Sequence, residues 1–201
     1  MIATQSVYGM DETPRGKLLS AAARLFREQG YDRTTVRDIA AAVGIQSGSI
    51  FHHFASKEDI LFAVTMEVIR FNTERMRLAT EGVADPEQRL RGLIRAELQS
   101  IVGDTREAMI VLVRDWRCLS AEKQKEALAV RAVYEGYWME ALRDLKAQGR
   151  LGDEDPMVVR RLVNGMTSWT SNWFDASGAL DMDGLTEVIL RRVVMPGAAS
   201  Q

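Results

Sequence analysis

The stretch from Thr34 to Phe54, TTVRDIAAAVGIQSGSIFHHF, restricts the fold more than any other part of the chain. Val36, Ile39, Ala40 and Val43 recur at helical spacing, so Thr34 or Thr35 caps a short amphipathic helix. Gly44 stops it, because a left-handed residue at a helix end costs glycine little. Ile45 is expected as the buried residue of the turn. Gln46 or Ser47 then caps a further short helix reaching about Phe54. Ile50 and Phe54, one turn apart, face inward, and Ser47, Ser49, His52 and His53 are left outward. Two short helices joined by a glycine turn and packed on a preceding helix make a helix-turn-helix. So polar a helix takes its stability from the helices beneath it. Its outer face then offers donors and acceptors to base edges and phosphates in a major groove.

The remainder also reads as helix. A first helix runs from Thr13-Pro14 to Gly30, burying Leu19, Ala22, Ala23 and Phe26. Ser56 opens a long fourth helix with Glu58 and Asp59 in its favourable acidic first turn. Further helical patterns cover 86–102, 104–118, 120–148, 155–174 and 182–194. Broad apolar stripes mark the last three: Val130 to Leu145, Val159 to Trp173, and Leu185 to Val193. No alternating strand pattern of useful length appears. The expected fold is all-α, with a three-helix head over 1–57, residues 1–12 forming a flexible arm, and a helical ligand-binding and dimerisation body over 58–201.

Composition narrows the function. Hydrophobic residues make up 46% of 201, enough for a sizeable core. Cys118 is the sole cysteine, which leaves no disulfide framework and no cysteine-based zinc site. Both histidines sit on the outward short helix, so the body lacks the usual general base, and no enzyme activity is expected. Adjacent helical residues point about 100° apart, so His52 and His53 make a poor metal pair. His53 is equally readable as a half-buried packing residue. No metal and no cofactor is expected. No apolar run approaches the roughly 18 residues of a membrane span, and the start lacks a charged-then-apolar signal, which predicts a cytoplasmic protein. Net charge is −2 overall, but residues 1–57 carry +2 and the rest −4. A locally basic end on an acidic body suits DNA contact by that end alone.

These residues resemble the tetracycline-repressor-like (TetR) family of transcriptional regulators. The similarity lies in Gly30-Tyr31, Thr34 to Ala40, Gly44-Ile45, Gly48 to Phe51, His53-Phe54, and Lys57-Glu58 with Ile60. It covers about a quarter of the chain. It implies a homodimeric repressor that binds a palindromic operator on double-stranded DNA and is released by a small molecule. By the same resemblance, Thr35 and Arg37 look like phosphate contacts, and Ser47, Ser49 and His52 fall where base edges are read. Gln46 is a further candidate and Lys57 a phosphate anchor. Most members carry tyrosine where this chain has Phe51, which loses a hydroxyl-to-phosphate bond but keeps apolar contact with a thymine methyl or sugar.

For the body, the segment Asn164 to Leu180 is similar to the TetR subgroup that senses acyl-CoA thioesters. Met109, Trp116, Tyr134, Tyr137, Trp138, Met166 and Trp169 offer an apolar, adaptable wall for an acyl group. The same residues also suit a core or a dimer interface. Arg114, Arg117, Arg131, Arg160 and Arg161 are candidates to meet CoA phosphates at the pocket mouth. An aromatic xenobiotic or antibiotic is the alternative effector. An architectural DNA-binding protein without a ligand is the alternative function.

Overall fold

The computed structural model describes residues 13–103, 105–175 and 177–195, and those residues contain helices and no strand. The expected arm over 1–12 lies outside the described residues. In chain order the helices are α1 (Pro14–Gln29), α2 (Val36–Ala42), α3 (Ser47–Ile50), α4 (Lys57–Thr80) and α5 (Pro86–Val102). They continue with α6 (Arg106–Arg114), α7 (Ala121–Ala147), α8 (Pro156–Trp169) and α9 (Met182–Val193). Short 3-10 turns cover Trp116–Cys118 and Thr170–Asn172.

Capping follows the sequence closely. Thr13, Asp85, Asp155 and Asp181 accept hydrogen bonds from first-turn amides of α1, α5, α8 and α9. Pro14, Pro86 and Pro156 occupy first-turn positions, where no helical N–H is needed.

The chain forms two compact units. The first comprises Met1–Phe71 with Asp104–Arg131, and the second Asn72–Gly103 with Ala132–Gln201. The core of the first unit joins Leu19 and Phe26 of α1, Ile39 of α2, Ile50 of α3 and Ile60, Leu61 and Val64 of α4. Ala108 and Val111 of α6 and Leu119 complete that same core. In the second unit Leu90, Leu93, Ile94 and Leu98 of α5 meet Trp138, Leu142 and Leu145 of α7. Val159 and Val163 of α8 and Leu185, Ile189 and Leu190 of α9 close it.

Four local expectations are corrected. The third helix ends at Ile50, not Phe54, because the amides of both His53 and Phe54 bond the Ile50 carbonyl at 2.9 Å, drawing 51–53 into a turn. The segment expected as one helix over 104–118 breaks at Asp115, whose neighbour Arg114 reaches instead for α1. Ile45 is 42% exposed rather than buried. Its amide bonds the Ala40 carbonyl at 3.0 Å while Gly44, at φ +72°, bonds Ala41 at 3.2 Å. That pair of bonds ends α2 and fixes the turn through backbone alone, without an apolar plug. His53 is exposed, so it is no packing residue.

Candidate functional site

The head is built from its caps outward. Thr35, not Thr34, caps α2: its hydroxyl accepts from the Asp38 amide at 3.2 Å, and Asp38 Oδ2 accepts from the Thr35 amide at 2.8 Å. The Thr35 hydroxyl also donates to the same carboxylate at 2.7 Å. These bonds, the side-chain one foremost, hold the Asp38 carboxyl below its ordinary pKa. Thr34 is wholly buried, its hydroxyl bonding the Gly30 carbonyl at 2.9 Å, and so fastens the α1–α2 corner.

Above this frame, α3 buries Ile50 alone. Thr35, Arg37, Gln46, Ser49, Phe51 and His52 are exposed, and Ser47 is half-buried. Phe51, at 56% exposure, is a large apolar ring set among hydrogen-bonding side chains. A surface of short polar groups and one aromatic ring, fixed by a rigid capped corner, is equipped to read groove edges. Lys57 differs from this group. Its ammonium bonds the Tyr31 and Asp32 carbonyls at 2.7 and 3.3 Å, joining the start of α4 to the α1–α2 loop.

Two further ties keep the first unit together. Arg114 donates to the carbonyls of Phe26 and Arg27 at the end of α1, and to the Asp115 carboxylate beside it. At the start of α4, Asp59 accepts from Lys123 at 2.6 Å and Glu58 from the Ser120 amide at 2.8 Å. Arg114 is therefore engaged with α1 and is not poised at a pocket mouth.

The seven proposed effector residues fall into three settings. Met109 and Trp116 are half-buried against the core of the first unit. Tyr134, Tyr137 and Met166 are half-buried against the core of the second, and Trp138 lies wholly within it. Trp169 is 67% exposed.

The second unit also holds a buried polar cluster that sequence reasoning missed. Glu97 of α5 and Arg160 of α8 are both buried and paired at 2.9 Å, and Glu135 of α7 takes Arg160 Nε at 2.9 Å. Tyr134 and Thr167 each donate a hydroxyl to Glu97 at 2.5 Å. The guanidinium carbon of Arg160 lies 4.1 Å from the centre of the Trp138 ring, a stacked cation–π contact. Burial opposes the Arg160 charge, but the two carboxylates outweigh it and raise its pKa. Burial, then the Glu97 charge, pushes the Tyr134 phenol well above its usual range, so it stays a donor. Arg160 is thus interior, where a solvent-facing role was expected. The signal was present in the sequence: Glu97 continues the apolar series Leu90, Leu93, Ile94, and Arg160 adjoins Val159.

On α8 a second, outward stripe appears. Val158, Leu162 and Trp169 are 44, 60 and 67% exposed, with Gly165 between them and open space where its side chain would stand. On α9, by contrast, Leu185, Ile189 and Leu190 are buried within the unit, and Met182, Val188 and Val193 are half-buried.

Comparison with known proteins agrees with this architecture. Residues 18–64 match the model of the bacterial regulatory proteins of the tetR family, and 83–195 match the tetracyclin repressor-like C-terminal domain. The chain belongs to the TetR family. It is 33% identical over 184 residues to the HTH-type transcriptional repressor KstR2 of Mycobacterium tuberculosis, covering 87% of this chain and 88% of that one. Among solved structures it resembles superantigen PfiT at 52% identity and TM-score 0.81, over 91% of this chain and 97% of that one. It also resembles AibR, solved with isovaleryl coenzyme A and operator DNA, at 25% identity and TM-score 0.80, over 90% and 98%. No described helix is long and apolar enough to cross a membrane.

Proposed function

We propose that this chain is a ligand-responsive transcriptional repressor. It binds a palindromic operator as a homodimer and leaves it when an acyl-CoA-type effector occupies the body. The observation that carries the DNA-binding part is the head itself: a capped corner presenting exposed Arg37, Gln46, Ser49, Phe51 and His52 around a minimal buried anchor, Ile50. The outward stripe of α8 supports dimerisation. Large apolar side chains at 158, 162 and 169 with a glycine between them form a self-complementary face for a two-fold contact. Two heads then meet two half-sites about one helical turn of DNA apart.

The isovaleryl-CoA bound by AibR supports a CoA thioester as effector. The superantigen designation belongs to PfiT; the exposed polar face of the capped head supports the repressor reading for this chain. The test is release of the chain from DNA flanking its own gene by matched acyl-CoA, free acid and free CoA. Release by the thioester alone is expected. Indifference to a broad acyl-CoA panel, with release by a planar drug, would replace this effector class with an aromatic one. Absence of any dyad-symmetric footprint would remove the repressor reading.

A further inference from the structure

Three cationic side chains hold the end of α1 and the turn into α2. Arg114 donates to the Phe26 and Arg27 carbonyls and is paired with the Asp115 carboxylate. Lys57 gives two bonds to the Tyr31 and Asp32 carbonyls and lies over the Tyr31 ring. Arg33 differs from both. Its Nε donates to the Gln29 carbonyl at 2.7 Å, and the four N–H groups of its two terminal nitrogens have no partner among the described residues. The residue is exposed, and neither Asp32 nor Asp38 lies within ion-pairing distance of its guanidinium. A cation near a helix C-terminus stabilises the last carbonyls, but a single N–H suffices for that. The charge and the double-pronged end of the guanidinium are left over.

We propose that Arg33 is a further DNA contact of the head, meeting a backbone phosphate end-on through its two terminal nitrogens. This rests on the DNA-binding reading above and deepens it. The geometry of a guanidinium suits two parallel hydrogen bonds to one phosphate, and the pair is strengthened by opposite charge. The side chain is also held in advance. On one side of it Lys57 fixes the Tyr31 and Asp32 carbonyls. On the other, the Thr34 amide bonds the Gly30 and Tyr31 carbonyls at 3.2 and 3.3 Å, and the buried Thr34 hydroxyl bonds Gly30 again at 2.9 Å. The Nε bond then restrains the guanidinium itself, so less freedom is lost when a phosphate binds. Exposed Thr35 and Arg37 follow two and four residues later, at the start of α2. The Asp38 carboxylate, the nearest acid on α2, is engaged by the Thr35 amide and hydroxyl and does not compete for Arg33.

The test measures the affinity of the whole protein, Arg33→Gln and Arg33→Lys for DNA flanking the chain's own gene and for an unrelated duplex, across a salt series. One phosphate contact contributes about 0.9 to the slope of log affinity against log salt. Raising salt fourfold should therefore weaken Arg33→Gln about threefold less than the native protein, on both duplexes alike. Arg33→Lys, which keeps the charge and loses the Nε bond, should keep the native slope. A native slope in Arg33→Gln, whatever its melting temperature, makes Arg33 a helix cap only and overturns the proposal. An equal loss of slope in Arg33→Lys points to altered structure rather than lost charge and overturns it too. Duplexes carrying one neutral methylphosphonate at each position in turn give a second readout. At one position in each half-site the substitution should weaken the native protein and leave Arg33→Gln unaffected, and the absence of such a position overturns the contact. In each of these outcomes the native protein still binds DNA, so the repressor reading stands. A native protein that binds neither duplex overturns that reading and this proposal with it.

Discussion

Lys57 Nζ hydrogen-bonds the Tyr31 carbonyl at 2.7 Å while lying 4.3 Å from the centre of that residue's ring. The cation thus secures the corner between α1 and α2 as well as sitting at the start of α4. Lys57→Ala is expected to destabilise the protein by about 1 kcal/mol and to weaken binding to all DNA sequences alike. If the ammonium also neutralises a phosphate, the salt dependence flattens by about one unit of slope. Melting curves and affinities across a salt series separate the two roles. A changed base preference with an unchanged slope would exclude the phosphate role.

The capping box gives a pH signature. Thr35→Ala should cost about 1 kcal/mol near neutral pH. The Asp38 pKa is depressed in the folded protein, so its contribution is present above the ordinary carboxylate value and is lost as pH falls through the lowered one. The gap in melting temperature between the native protein and the variant should therefore narrow below about pH 4. A gap that stays constant from pH 7 to 3 would show that Asp38 contributes nothing through its charge.

Ser49→Ala and His52→Ala remove exposed groups from α3 and from the turn that follows it without touching the core. Each is expected to leave stability unchanged and relax the choice at particular operator positions by about 1–3 kcal/mol. Affinity for a library of operator variants provides the measure. A uniform loss across the library would mean these side chains touch only backbone.

Within the second unit, Glu97→Leu strands Arg160 with Glu135 alone. Removing one partner of a buried ion pair costs about 3–5 kcal/mol. The double replacement Glu97→Leu with Arg160→Met should recover much of that loss, since an apolar pair of similar volume fits a core of this kind. Denaturant unfolding of the single and double variants tests the coupling. Additive losses would contradict it.

On α8, Gly165→Leu adds a side chain into open space within the protomer. The variant should fold normally and sediment as a monomer, because the added bulk stands on the proposed two-fold contact. Leu162→Glu should do the same. A native protein already monomeric at micromolar concentration would contradict the dimer outright.

The head was legible because its information is local. Gly44 needs its positive φ, and the Ile50–Phe54 spacing sets which side of a short segment faces inward, whatever lies elsewhere in the chain. The body yielded less because its decisive contacts are distant in sequence. Glu97 and Arg160 interrupt apolar stripes, and only the meeting of α5 with α8 turns two apparent misfits into a pair. In α8 the alternation of Val158 with Val159, and Leu162 with Leu162's neighbour Val163, reads as one broad stripe. The structure divides it into an inner and an outer face. In the sequence Asp115 reads as an ordinary helical residue; in the structure it caps the end of α6, beside an Arg114 that bonds the α1 carbonyls.

That hold on α1, with Ala108, Val111 and Leu119 in the same core, sets an order of events during synthesis. The DNA-reading helices emerge from the ribosome early, yet the apolar surface beneath them stays uncovered until α6 and the start of α7 have followed. Over that interval a nascent chain exposes part of the Phe26 and Leu61 surface to chaperones and to other nascent copies. Cutting the gene after residue 71 would make that transient condition permanent, so the excised head should be recovered as an aggregate.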